Sequence, residues 1–292
     1  MATGVIARLP WLAKWSGRMI QIKTPHEIEL MRASGLVTAG ALKAVRAAVR
    51  PGVSTGELDA VAEDYIRSQG AVPNFLGYHG FTGTICASIN NEIVHGIPSR
   101  ERKLAAGDNI SIDCGAILQG WHSDSAVTVT VGEPSAEDAA LLEITERSMW
   151  AGLARAIAGG RLTDISAAVE QTITAESHPY GIVDHYGGHG IGTEMHMDPH
   201  LLNYVEKRRG KGPKLVPGFC LAIEPMVSLG TPKTEVLSDD WTVITIDGTW
   251  SSHWEHSVAL TEEGPLVLTA PDGGKAKLAE YGITAAPDPL AG

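Results

Sequence analysis

Residues 103–113 read KLAAGDNISID and residues 214–224 read KLVPGFCLAIE. Lys, Leu, Gly and the closing acid fall at the same spacing in both. Each stretch runs from a glycine turn into an apolar strand pattern, and each ends that strand on a carboxylate. The agreement extends outward from the pair. Ser54 and Thr163, both helix-capping residue types, lie 109 positions apart, His79 and His189 110, and Asp113 and Glu224 111. The same helix, helix, strand punctuation precedes each stretch, so the chain reads as an internal duplication of about 110 residues. The bland alternative is chance agreement among common caps and turns. Two similar halves would pack about a pseudo-twofold axis, and ligands collect where such halves meet.

The punctuation is specific. Thr24-Pro25-His26-Glu27 is a capping box with proline at the first helical position, which predicts a helix to about Arg50, where Pro51-Gly52 ends it. Ser54-Thr55-Gly56-Glu57 opens a second helix, to about Gln69. Turn and strand signals follow in PNFLGYHGFTGTICASIN, 73–90, and 103–131 reads as strand, turn, strand. Ser135 with Asp138 then caps a long helix running to Gly159-Gly160, and Thr163-Asp164 caps another.

Composition narrows the function. The 292 residues are 43% hydrophobic and 20% charged, enough for a large core in one or two domains. A net charge of −11 argues against a general nucleic-acid surface, DNA included, and favours cationic ligands such as metals and amino termini. Three cysteines, Cys86, Cys114 and Cys220, make no even framework and read as reduced, in a cytoplasmic protein. No apolar run approaches the roughly 20 residues that span a bilayer. Residues 1–18 carry three cations and no acid and read as a disordered extension, or as sequence upstream of a start at Met19. The Ala-, Gly- and Pro-rich tail, 271–292, is expected to be loosely ordered, leaving 19–270 as the folded domain.

The chemistry gathers on acids inside apolar runs. A turn at Leu118-Gln119-Gly120 sets Asp113 opposite Asp124, with both side chains on one face of a hairpin. Two carboxylates so placed repel unless a cation lies between them, although a slipped register would leave one of them at the surface. Glu224 lies within LAIEPM and Glu255 within WEHSVALT, the start of another strand, and a buried carboxylate needs a partner. His189 stands among glycines in YGGHGIGTEMHMDPH, 186–200, where a Cβ-free backbone can approach something closely. One imidazole and four carboxylates suit Mn²⁺, Fe²⁺, Co²⁺ or Zn²⁺, and the charge balances around two ions better than around one. His122 and His256 flank these acids in strands, so alternation turns them away. His26, His178, His185, His200 and His253 read as solvated or structural.

In order along the chain, GYHGF, VHGIP, ISIDCG, GWHSD, GGHGIG, LAIEPM, DDWTV and WEHSVALT resemble the motifs of the type I methionine aminopeptidases, over about Met19 to Ala270. The resemblance implies an α/β (α+β) pita-bread fold: two pseudo-symmetric halves, antiparallel sheet covered by helices, and a dinuclear centre of Co, Mn, Fe or Zn between them. It implies Asp113, Asp124, His189, Glu224 and Glu255 as metal ligands, with Asp124 and Glu255 bridging. Glu224 becomes the general base, and His95 and His196 face the substrate. Tyr78, His79, Phe81, Cys86, Met195 and Trp241 are placed around the substrate methionine, together with His95 and His196. The implied activity removes the first methionine of nascent chains when the second residue is small. The family's usual state is monomeric.

Only 27 residues separate His196 from Glu224, which leaves no room for the insertion of type II members. The basic stretch 203–218, NYVEKRRGKGPKLVPG, is either a solvated loop or a contact for ribosomal RNA. Two other readings remain. A prolidase or Xaa-Pro aminopeptidase of the same fold usually has an additional N-terminal domain, which the roughly 20 residues before the first capped helix do not accommodate. A metal-free binding module would have lost ligands, and none of the five is missing.

Overall fold

The computed structural model describes residues 20–206, 208 and 210–291. The expectation for residues 1–18 therefore lies outside the described residues. The first half comprises α1 (Pro25–Ala48), α2 (Thr55–Ser68), β1 (Val72–Pro73), a 3₁₀ turn at Tyr78–Gly80, β2 (Ile85–Ile89), β3 (Glu92–Val94), β4 (Asn109–Leu118) and β5 (Trp121–Thr130). The second comprises α3 (Ala136–Leu153), α4 (Leu162–Thr174), β6 (Gly181–Ile182), β7 (Gly187–Gly190), β8 (Met197–Leu202), β9 (Cys220–Ile223), β10 (Met226–Ser228), β11 (Thr234–Val236), β12 (Val243–Thr245), β13 (Ser251–His253), β14 (His256–Leu260), β15 (Pro265–Val267) and α5 (Lys275–Glu280). No helix among the described residues is long and apolar enough to cross a membrane.

Both capping boxes form as read. Thr24 and Glu27 bond each other's backbone N–H at the start of α1, and Ser54 with Glu57 does the same for α2. One stripe of α1 is buried, through Ile28, Met31, Gly35, Thr38, Leu42 and Val45, at the helical spacing. Two of the later helix expectations shift. α3 stops at Leu153, short of Gly159-Gly160, because Arg155 and Ala156 turn back to the carbonyls three residues behind them. α4 starts one residue before Thr163; its first turn is closed by Asp164, whose carboxylate accepts the Arg161 N–H at 2.7 Å.

Two antiparallel sheets carry the halves: β1-β4-β2 with β5 beside β4, and β15-β14-β9-β7-β8. The duplication is visible in the cores. Ile110 and Ile112 of β4 are fully buried beneath α1 and α2, and their counterparts 111 positions on, Leu221 and Ile223 of β9, are fully buried with Met149, Leu153 and Ile165 of α3 and α4.

The halves meet along a seam of hydroxyls. Ser257 Oγ donates to Asp124 O at 2.8 Å and accepts the Asp124 N–H. Ala126 and Glu255 exchange backbone hydrogen bonds, and Ser125 Oγ donates to Glu255 O at 2.7 Å. Thr128 Oγ1 donates to His253 O and accepts the His253 N–H, each at 2.9 Å. The seam therefore lays Asp124 on β5 alongside His253 and Glu255.

The C-terminal segment departs from its expectation. Leu278 and Ala286 are buried, and the fully buried Arg32 of α1 donates to Asp288 Oδ2 at 2.5 and 3.1 Å and to the carbonyls of Leu268, Ala270 and Pro271. A guanidinium without solvent needs this many acceptors, and the segment after 270 supplies the Pro271 carbonyl and the Asp288 carboxylate, so it is held rather than loose.

Candidate active site

The β4–β5 hairpin turns on two residues, Gln119 and Gly120, both with positive φ, so Leu118 pairs with Trp121. Asp113 therefore faces Ala126, and Asp124 faces Gly115. The expected direct pairing of Asp113 with Asp124 is off by two residues, because the two-residue turn sits at 119–120, one position further along the chain than that pairing needs. A shift of two keeps both side chains on the same face, as diagonal neighbours within reach. The hairpin register is offset, whereas continuing the β9–β14 register by one residue sets Glu224 directly opposite Glu255.

His189 lies on a strand, not a loop. β7 is squeezed between β8 and β9, and a Cβ on Gly188 would meet Ala222 O at 2.1 Å. The glycines thus serve close backbone packing. His189 Nδ1 lies 3.0 Å from Gly190 O, which fixes the proton there and leaves Nε2 for the site. Asp124, His189 and Glu255 offer donor atoms within 4.8 Å of one another, and so do Glu224, His253 and Glu255. His189 Nε2 is 3.4 Å from Glu224 Oε1. That is long for an N–H···O hydrogen bond and suits two donors each about 2.0–2.2 Å from one ion, which lie roughly 3–4 Å apart.

Asp113 Oδ1, Asp124 Oδ1 and Glu255 Oε1 are buried with no hydrogen-bond partner among the described residues. Burial pushes Asp113 up to about 7, and it holds Asp124, Glu224 and Glu255 well above the usual carboxylate range, with the negative charge of neighbouring acids adding to each of these three. Burial lowers His95 and His189 to about 4 and His196 further, so the imidazoles are neutral donors. Four crowded acids, orphaned oxygens and a neutral imidazole are what a divalent cation site requires.

Above this cluster Phe75, Phe81, Cys86 and Met195 form a small apolar core, against which Tyr78 and Trp241 pack. Phe81 and Trp241 stand edge to face with centroids 5.0 Å apart. The cleft lined by these residues also takes in Val94, His95, Asp113, Asp124, His189, His196, Glu224, His253 and Glu255. His196 Nδ1 is 2.9 Å from Tyr78 Oη, and its ring stands edge-on to His189 with centroids 4.4 Å apart.

Of the residues expected at the site, His79 alone stays outside the cleft. It is exposed, at φ 47°, with its ring edge on Tyr78. His256 turns away to Thr269 as alternation requires, whereas His122, two residues from Asp124 and so on the same face of β5, is kept out of the cleft by its hydrogen bond with Asn74 rather than by alternation. Sequence reading missed Phe75, Val94 and His253. His253 was legible in principle: it stands two residues before Glu255 in an extended stretch, so the two share a face.

A buried cluster of acids and neutral imidazoles, abutting an apolar pocket at the junction of two α/β halves, defines a metal-dependent hydrolase. The sequence profile of Metallopeptidase family M24 matches residues 29–262. Methionine aminopeptidase 1 of Mycobacterium tuberculosis is 53% identical over 263 residues, covering 88% of this chain and 98% of that protein. The crystal structure of the methionine aminopeptidase of Thermotoga maritima is 37% identical, covers 86% of this chain and 99% of its own, and superposes with a TM-score of 0.82. Prolidase from Pyrococcus furiosus shares the fold alone, at 23% identity and a TM-score of 0.69, and the match covers 65% of its length. The chain belongs to metallopeptidase family M24, in its methionine aminopeptidase branch.

Proposed function

We propose that this chain removes the N-terminal methionine of nascent polypeptides in the cytoplasm, as a type I enzyme, when the second residue is small. The observation that carries this reading is the apolar cluster of Phe75, Phe81, Cys86, Met195 and Trp241, set directly against the acid and imidazole donors. A pocket of aromatic rings, a neutral thiol and a thioether suits an unbranched thioether side chain.

Asp113, Asp124, His189, Glu224 and Glu255 would hold two divalent ions, the four carboxylates balancing their charge. Co²⁺, Mn²⁺, Fe²⁺ and Zn²⁺ all accept this donor set. Such ions supply Lewis acidity, making water a competent nucleophile near neutral pH. Glu224, whose carboxylate borders the cleft, takes the proton from the attacking water and returns it to the leaving amine. Tyr78 keeps its phenolic proton, because burial raises it above the usual value, and donates it to His196 Nδ1. That assignment leaves Nε2–H of His196 to donate to the scissile carbonyl oxygen as charge develops there. His95 closes the cleft beside Trp241, with ring centroids 6.3 Å apart. Asp113 accepts from the substrate α-amino group, so only a free N-terminus fits.

The test is methionine release from Met-Ala-Ser with added Mn²⁺ or Co²⁺, set against Met-Lys-Ser and Ala-Pro-Ala. Cleavage of the first alone, lost in Asp124→Asn, is the expected result. Cleavage of the proline peptide instead would place the chain with the Xaa-Pro hydrolases.

A further inference from the structure

Glu224 presents each of its oxygens to a different imidazole. Oε1 lies 3.4 Å from His189 Nε2, and Oε2 lies 3.7 Å from His253 Nε2. His253 is 1% exposed, and neither ring nitrogen has a hydrogen-bond partner among the described residues. A buried imidazole with both nitrogens unsatisfied is costly unless it is ligated. Its Nε2 cannot be satisfied by Glu224 at 3.7 Å, since an N–H···O bond needs about 2.7–3.2 Å. The same distance falls within the roughly 3–4 Å that separates two donors on one ion. Glu224, His253 and Glu255 each bring a donor atom within 4.8 Å of the others.

The backbone is built to hold this ring. Thr128 clamps both the N–H and the C=O of His253 and is itself bonded to Ser111 Oγ at 2.8 Å. β10 pairs His253 with Met226, just beyond Glu224 on the far side of Pro225. The imidazole is thus fixed from both halves of the molecule, with its Nε2 beside the acid that already faces His189.

We propose that His253 is a second imidazole donor to the cation site, ligating through Nε2 beside Glu224 and Glu255. The proposal rests on the reading of the site as a metal centre and adds a nitrogen to the single-histidine set which the family resemblance assigns. A second imidazole moves the preference of the site away from Mn²⁺ and toward Co²⁺ and Zn²⁺.

Counting ligating histidines tests this without reference to activity. The full chain is loaded with Co²⁺, and its exchangeable, hyperfine-shifted imidazole N–H proton signals are recorded in H₂O and D₂O. The expected result is two signals in the unaltered chain and one in His253→Gln, which keeps the volume of the side chain. The ratio of Co²⁺ to Mn²⁺ affinity, measured by competitive titration, falls about tenfold in the same variant. One signal in the unaltered chain overturns the proposal while leaving His189 as a ligand. No shifted signal at all overturns both the proposal and the metal-centre reading on which it rests. The count in the unaltered chain decides even where the variant folds poorly.

Discussion

Asp124 stands at the point where the two halves touch, and its charge is opposed by burial and by Glu255 and Asp113. Asp124→Asn removes a repelling charge without changing shape. The metal-free variant should therefore melt no lower than the metal-free parent, while the rise in Tm on adding Co²⁺ shrinks sharply; differential scanning fluorimetry with and without chelator reads both. The acids also set the proton balance. Their folded pKa values are raised, so the stability they lend to the metal-free chain is present below about pH 4, the range of unfolded carboxylates, and is lost as pH rises through the folded values, about 7 for Asp113. Cation uptake at pH 6 should consequently release protons, seen as a buffer-dependent heat in calorimetry. Tyr78→Phe removes the bond that orients His196, a neutral hydrogen bond contributing about 1 kcal/mol. Turnover of Met-Ala-Ser should drop several-fold with KM little changed. The acids were legible as residues because each interrupts an apolar run. His253 carried a fainter signal, its spacing alone: two residues before Glu255, it shares that acid's face once the stretch is read as extended.

Secondary structure places these groups through two glycine devices of different kinds. Gly120 occupies a turn at φ 81° with open space around the position of a Cβ, so Gly120→Ala should cost only the backbone strain, about 1 kcal/mol. Gly188 has no such room: its Cβ would collide with the Ala222 carbonyl and pry β7 from β9. Gly188→Ala should lower Tm further than Gly120→Ala does, and it should also weaken cation binding, because His189 moves with β7. The helix caps were readable from sequence since a capping box is local chemistry. The hairpin register was off by two, because the turn type depends on Gln119 adopting φ 52°, a conformation that its residue type does not announce. The end of α3 was missed for a similar reason: Ala154 and Ala156 are good helix formers whose type gives no sign that the backbone tightens to three-residue bonds there.

At the scale of the molecule, the repeat of about 110 residues predicted two halves, and the matched burial of Ile110 with Leu221 and of Ile112 with Ile223 bears that out. The ordered C-terminal segment was hidden, because its composition is that of a linker and its anchor, Arg32, lies 256 positions away. Asp288→Ala leaves that buried guanidinium short of its carboxylate partner and should destabilise the fold by roughly 3 kcal/mol, measured by urea unfolding. In the basic segment Lys211 O accepts from Thr163 at the start of α4, and Arg208 is exposed. Lys207 and Arg209 lie outside the described residues. Reversing Lys207, Arg208, Arg209 and Lys211 to Glu should abolish cosedimentation with ribosomes and spare peptide cleavage, if this segment is the contact.

The hydroxyl seam joins the halves side by side, and the single covalent link between β5 and α3 passes through residues 132–134, which are exposed. Further joins, β3 against β12 and α1 against the C-terminal segment, are likewise noncovalent. A nick at Gly132-Glu133 should accordingly cut the polypeptide and leave the two halves associated, seen as one peak in size-exclusion chromatography. Two peptides produced from separate messages, one bringing Asp113 and Asp124 and the other His189, Glu224 and Glu255, should each fail to bind Co²⁺ and should recover binding on mixing, read by calorimetry, as expected if one ancestral half began as a subunit of a pair.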